Sequence, residues 1–200
     1  RFGLGLVSDF RGDAYFNLSA TYTKTGLNSY GGEWRTDLQV GRTSSLYSEF
    51  YQPLNAESDY FVAPNVLIER RSTTLYSGNN RLGRYDFVTS QIGLDLGAQF
   101  RQYGAFRLGV YSGTLSPSLD TGPQFLAPPE SRIDIGGYRA RLHFDRLDSV
   151  NFPRKGFGAS LNIYDSNTAL GAQDNYTKWD IDGAIAHTFG NHTFNFSVKA

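Results

Sequence analysis

The chain has 200 residues, 40% hydrophobic, 15% aromatic and 19% charged, and its 19 Lys and Arg balance its 19 Asp and Glu without clustering, so no electrostatic footprint for nucleic acid exists. No apolar run approaches the roughly 18 to 20 residues a spanning helix needs, which excludes a helical membrane protein. The absence of Cys removes disulfide frameworks, thiol nucleophiles and thiolate metal sites.

The information lies in the order of the residues. About eleven stretches alternate apolar and polar side chains, with no helical period between them, and the apolar parity carries large lipophilic and aromatic groups. The first strand is expected over 2–8, with Phe2, Leu4 and Leu6 on one face, and 9–13 as a tight turn. The second sets Phe16, Leu18, Ala20 and Tyr22 against Tyr15, Asn17, Ser19 and Thr21, and 25–32 leads into a third over 33–41. There Trp34, Leu38 and Val40 oppose Glu33, Arg35, Asp37 and Gln39. After a turn at 42–45 comes a strand over 46–52 that Pro53 stops, because proline cannot donate to a ladder. The fifth strand, 60–70, alternates Val62, Val66 and Ile68 against Ala63, Asn65 and Glu69, with Pro64 marking a bulge or bend.

A polar loop around Gly78 precedes a long strand over 85–99, where Ile92, Leu94, Leu96 and Ala98 oppose Gln91, Gly93, Asp95, Gly97 and Gln99. Asp95 on such a face would be costly anywhere but in a wet lumen. The chain turns at 101–104 into 105–114, with Phe106, Leu108 and Val110 against Arg107, Gly109 and Tyr111. The proline-rich stretch 116–131 reads as the longest loop. The strand 135–146 sets Tyr138, Ala140, Leu142 and Phe144 against Arg139, Arg141, His143 and Asp145. A turn over 147–156, a strand over 157–165, a polar loop over 166–175, a strand over 176–189 with Asp180 and Asp182 opposite Trp179 and Ile181, a Gly190-Asn191-His192 hairpin and a last strand with Phe194, Phe196 and Val198 complete the chain.

One face wants hydrocarbon and the other wants water, the pattern of a transmembrane β-barrel wall, whose strands need only about 9 to 11 residues. The expected fold is therefore all-β: an antiparallel up-and-down barrel, one domain over 1–200. The longer loops are expected on one rim and the shorter turns on the other. Eleven is an odd count, whereas bacterial single-chain barrels have an even number, so further strands are expected downstream.

The chemistry points the same way. There is no Gly-x-Ser-x-Gly elbow. His143, His187 and His192 lack metal spacing, so no metal and no cofactor are expected. Asp180 and Asp182, about 7 Å apart along one strand face, look like a carboxylate pair. A wet wall supplies the same pattern, with Arg139 and Arg141 as counter-charges, and no catalysis is expected within the segment. Glu33, Arg35, Asp37, Glu49, Glu69, Asp95, Arg107, Arg139, Arg141, His143, Asp145, Asp180 and Asp182 are the candidate lumen-lining residues. Structural ion pairing and a passage role both fit their mixed sign.

Three local patterns carry a resemblance: the opening Phe2-Gly3-Leu4-Gly5-Leu6, the strand end Glu49-Phe50-Tyr51-Gln52-Pro53-Leu54, and the segment from Asp145 to Gly156. With their order, they resemble the BamA/TamA/FhaC-type superfamily of outer-membrane translocators. In that superfamily an acidic strand end, then Pro and Gly, form the periplasmic hairpin between the eighth and ninth strands, which maps onto Asp148, Phe152, Pro153 and Gly156. The resemblance implies the first eleven strands of a sixteen-stranded barrel in the outer membrane of a Gram-negative bacterium. It implies as partners the lipid bilayer, the remaining strands and a POTRA domain, and a polypeptide client or fused passenger, with oligomerisation open. Together with Tyr60-Phe61-Val62-Ala63-Pro64, the chain looks most like barrels fused behind a patatin-like phospholipase, whose catalytic residues would lie upstream. The competing reading is a diffusive porin-like channel. A soluble β-sandwich would leave an exposed apolar patch far above a few hundred Å².

Overall fold

In the computed structural model, residues 2–8, 14–55, 59–77, 80–123, 126, 128, 132–149 and 151–200 are described. They form one antiparallel sheet of eleven strands in chain order: β1 (Phe2–Ser8), β2 (Ala14–Lys24), β3 (Glu33–Gly41), β4 (Thr43–Pro53), β5 (Tyr60–Ser77), β6 (Asn80–Gln99), β7 (Gly104–Thr121), β8 (Ile133–Asp145), β9 (Gly156–Ser166), β10 (Tyr176–Phe189) and β11 (His192–Lys199). Every strand pairs with its sequence neighbours, an up-and-down topology, and the sheet is not closed by pairing between β1 and β11 among the described residues. The expected turn at 9–13, residues 124, 125, 127 and 129–131 of the expected loop at 116–131 and the side chains of β1 lie outside the described residues.

Register is what turns the alternation into two faces, because a slip of one residue would exchange them. In the centre of the sheet one row runs Ala63, Asp95, Gly109, Arg139 across β5 to β8, and the next row of the opposite parity runs Pro64, Leu94, Val110, Tyr138. Polar groups thus line up with polar groups, and apolar with apolar, over many strands.

The polar face is concave. Arg107 on β7 reaches Glu49 on β4 at 2.7 Å, although three strand spacings amount to about 14 Å on a flat sheet. Side chains converge that way only when the sheet curls toward them. The barrel-like fold expected from the alternation is therefore present as a curled, open sheet.

Several boundaries differ from the sequence reading. β5, β6 and β7 run for 18, 20 and 18 residues, well beyond the expected 60–70, 85–99 and 105–114. Of the polar loop expected around Gly78, Gly78 and Asn79 lie outside the described residues while Asn80 already belongs to β6, and all of 116–121 is strand. β4–β5 pairing ends at Thr43 and Arg71, and β7–β8 pairing ends at Leu115 and Ile133. Beyond those points the three long strands pair only with one another, as a projecting ribbon. This is why Pro117 is accommodated: it pairs with Phe87 of β6 where β7 has no partner on its β8 side. Of the three long connections expected on one rim, those after β7 and β9 remain, between Thr121 and Ile133 and between Ser166 and Tyr176, but the β8–β9 link on the other rim, between Asp145 and Gly156, is as long, so the rims do not divide as expected.

Pro64 produces no bulge. The β4–β5 ladder keeps one register from Thr43↔Arg71 to Gln52↔Val62 and merely skips the rungs at Phe50 and Tyr51, since proline has no N–H to offer. The register shifts fall at Leu75/Tyr76 and Arg84/Tyr85, inside the ribbon. In the expected loop at 166–175, Thr168–Leu170 forms one 3-10 turn, started by the Asn167 side chain accepting from the Ala169 N–H and ended by Gly171 at φ 90°.

Candidate functional site

The best-buried part of the molecule is polar. Asp95 is 0% exposed, next to Phe61 at 1% and Ala63 at 0%. The wet surrounding expected for Asp95 is therefore not what it has: an ionised carboxylate shut off from water is costly without partners, and three guanidiniums supply them in place of water. Arg139 Nε donates to Asp95 Oδ1 at 2.8 Å, Arg141 Nη2 donates to Oδ2, and Arg107 Nη1 lies 3.8 Å from Oδ2.

Each guanidinium is fixed by a further contact or strand position. Arg107 makes a two-pronged contact with Glu49, 2.7 Å to Oε2 and 3.4 Å to Oε1, and Tyr47 Oη donates to the same Oε2 at 2.7 Å. Such a fork is the geometry guanidinium is suited to. Arg139 Nη2 donates to Asn65 Oδ1 at 2.9 Å, and Asn65 Nδ2 donates to the Ala63 carbonyl at 3.0 Å. Arg107 also lies over the Phe61 ring, 4.8 Å from its centroid, as a cation on an aromatic face. Phe61 in turn packs on Tyr51 at 4.7 Å, whose hydroxyl accepts from Gln99 Nε2 at 2.8 Å. The network therefore ties β4, β5, β6, β7 and β8.

Glycines make room for it. A Cβ at Gly109 would collide with Asp95 Oδ1, one at Gly97 with the Phe61 ring, and one at Gly93 would stand 2.6 Å from Arg139 Nη2. On these strands the alternation of glycine with a charged or aromatic residue is a packing device: the small position of one strand accepts the large side chain of its neighbour.

The remaining candidates sit on the same face in more open surroundings. Arg35 Nε contacts Asp37 at 2.9 Å and Thr21 Oγ1 donates to Asp37 at 2.7 Å, while Glu33 and Arg35 border a cleft with Thr21 and Thr23. Glu69 lies opposite Ser45 and Thr89, and His143 opposite Ala105 and Ser160. Asp145 accepts from the Leu147 N–H at 2.8 Å and so serves the turn out of β8. Asp180 and Asp182 are not paired with Arg139 and Arg141, the counter-charges expected for them, because those arginines are committed to Asp95. They lie instead 3.5 Å from Lys178 and 3.6 Å from Lys199. Tyr47, Asn65, Phe61, Tyr51 and Gln99 belong to the network although the charge pattern does not single them out; their parity beside Glu49, Asp95 and Arg107 is the signal that finds them.

The β8–β9 connection is built around Asp148, whose carboxylate accepts from the backbone N–H groups of Arg154 at 2.8 Å and Lys155 at 3.1 Å. These two bonds hold it below the usual carboxylate range. Gly156, at φ 111°, starts β9 where a side chain would meet the Arg146 carbonyl. Pro153 lies inside this hairpin and Phe152 stands 84% exposed.

The convex face is apolar and open. Ile92 is 66% exposed, and Leu94, Leu96, Leu108, Trp179, Ile185, Phe194 and Phe196 are exposed beside it, from 44% to 72%. Above Ile68 and Ile92 it changes character: Arg70, Ser72, Asp86, Ser116 and Ser118 occupy the outward positions of the ribbon, with Asp86 held by Arg70 and by Ser72 Oγ. Among the described residues no three His, Asp or Glu side chains converge as a metal site requires. Compared with models of protein families and with curated proteins, the chain matches none.

Proposed function

We propose that this chain is part of an outer-membrane β-barrel that moves, inserts or displays a polypeptide, its convex face against lipid and its concave face toward water. The observation that carries this reading is the exposed apolar band, bounded by aromatic residues and by polar positions. On β10 it runs from Trp179 through Ile181 and Ile185 to Phe189, with His187 packed against Phe189 at that edge, about 33 Å of strand. At the usual barrel tilt of about 40° that projects to about 25 Å, the height of the apolar band on such barrels.

Aromatic side chains gather at the two edges, as amphipathic rings do at a membrane interface. Phe16, Tyr138 and Trp179 lie toward one edge, and Trp34, Tyr60, Phe157, Phe189 and Phe194 toward the other. In water the same face would be an apolar patch far larger than soluble proteins expose. An open sheet in hydrocarbon would leave unpaired backbone groups along β1 and β11, so closure in a membrane calls for strands beyond these eleven.

Assignment to the BamA/TamA/FhaC-type translocators rests on the residues that resemble them. Its support here is that the Asp148, Phe152, Pro153 and Gly156 segment joins the eighth and ninth strands. A fused patatin-like phospholipase and a POTRA domain belong to the same reading. The test is partition: the protein expressed with its full reading frame should sediment with outer membranes and migrate faster unheated than boiled in SDS. A detergent-free soluble protein without heat-dependent migration contradicts it.

A further inference from the structure

We infer that the concave face carries an oxyanion-binding site between β7, β8 and β9, in the cleft lined by Arg107, Arg141, His143, Ser160 and Asn162, and that it takes a carboxylate or phosphate group. The inference rests on the reading above in taking the concave face as water-filled.

The cleft measures about 340 Å³, and among the described residues lining it none is acidic. Register sets its donors side by side: Arg107, Arg141 and Asn162 lie in one row, Ala105, His143 and Ser160 in the next. All the polar side chains in these rows can donate hydrogen bonds, and two of them are permanently cationic.

The positive charge is incompletely answered inside the protein. Arg107, Arg139 and Arg141 face two carboxylates, Glu49 and Asp95. Arg141 is the least committed of the three: its Nη2 serves Asp95, its shielded Nε has no partner among the described residues, and its side chain is still 30% exposed, so that donors other than Nε face the cleft. A guanidinium has five donor hydrogens, so an oxyanion in the cleft would complete a set that the fold leaves open. Arg139, by contrast, is buried and engaged by both Asp95 and Asn65. Of the nearby acids, Asp145 accepts from the Leu147 N–H at the end of β8, and Asp180 and Asp182 lie one strand further on, opposite Asn162 and Ser160, and are answered by Lys178 and Lys199, which leaves the cleft between Arg107 and Arg141 cationic.

The test is calorimetric titration of the folded, detergent-solubilised protein with inorganic phosphate and, separately, with a polyglutamate peptide. Saturable binding of phosphate alone identifies a site for small free anions, and tighter binding of the peptide a site for carboxylates of a polypeptide in the lumen. Arg141→Gln should weaken either by at least about tenfold, the loss of one charge-assisted hydrogen bond. Ser160→Glu, which places a carboxylate in the cleft without touching the Asp95 network, should abolish binding while heat-dependent migration persists. Absence of saturable binding by both ligands, or wild-type binding by both variants, overturns the site. Membrane insertion without anion binding would overturn this inference alone, and a soluble protein that binds anions would overturn the membrane reading alone.

Discussion

Asp95 on β6 and Arg139 on β8 are two strands apart, yet Asp95 Oδ1 and Arg139 Nε lie 2.8 Å from one another, because the residue between them on β7 is Gly109. The ion pair passes over a position with no side chain. The charge, its partner and the gap that lets them meet are set by a single row of the register.

Gly109 should therefore be hard to replace without disturbing the ion pair. Gly109→Ala drives a methyl group into the Asp95 carboxylate and should cost about 1–3 kcal/mol, the range of overpacking. Gly183→Ala, whose Cβ would meet only Val198 Cγ1 at 3.3 Å, should cost much less. Urea unfolding midpoints of the two variants in the same detergent check this; equal midpoints contradict the packing argument.

Burial should separate two acids that look alike in the sequence. Asp95→Ala leaves three guanidiniums around a fully buried position and should destabilise by about 3–5 kcal/mol. Asp182→Ala breaks a half-exposed contact with Lys199 and should stay within about 1 kcal/mol. Unfolding free energies that come out alike would show that the Asp95 cluster contributes nothing special.

Most of this was legible in the residues, and what was not has identifiable causes. Alternation alone separates Trp34, Leu38 and Val40 from Glu33, Arg35 and Asp37, and assigns Asp95, Arg107, Arg139 and Arg141 to one face. It does not say which charges meet, because partnership depends on curvature: Glu49 and Arg107 are far apart along the chain and converge only on a curled sheet. The extension of β5 through Ser72, Thr73 and Thr74 is hidden because the projecting ribbon has no apolar outward face to mark it. Polar residues that read as a loop are there a strand in water.

The turn at Asp148 should respond to acid in a definite direction. Its carboxyl is held below the usual range of about 3.9, first by the Arg154 N–H and then by the Lys155 N–H. With the folded value depressed, the contribution to the hairpin is full above the unfolded pKa and is lost as pH falls through the folded one. Carboxyl carbon shifts recorded by NMR should give Asp148 a titration midpoint below the ordinary aspartate value. A midpoint at the ordinary value would mean that the two backbone bonds are not formed.

A charge placed on the convex band should be penalised where one on the ribbon is not. Leu94→Arg, in the middle of the band, should reduce insertion into phospholipid vesicles by about 2–4 kcal/mol, the midplane cost for arginine on a barrel. Ser118→Arg, outward on the ribbon, should insert normally. Folded fractions read from heat-dependent migration distinguish the two, and an equal effect would remove the boundary drawn above Ile68 and Ile92.

The division of each strand between lipid and water is tested most directly by spin labels placed singly from Thr89 to Gly97 on β6, in protein reconstituted into bilayers. Collision with oxygen, which partitions into lipid, should peak at Ile92, Leu94 and Leu96, and collision with a water-soluble nickel chelate should be lowest there. At Gln91 the preference should reverse. Accessibility to the chelate that is high at Ile92, Leu94 and Leu96, or that shows no alternation along the strand, would contradict the membrane barrel.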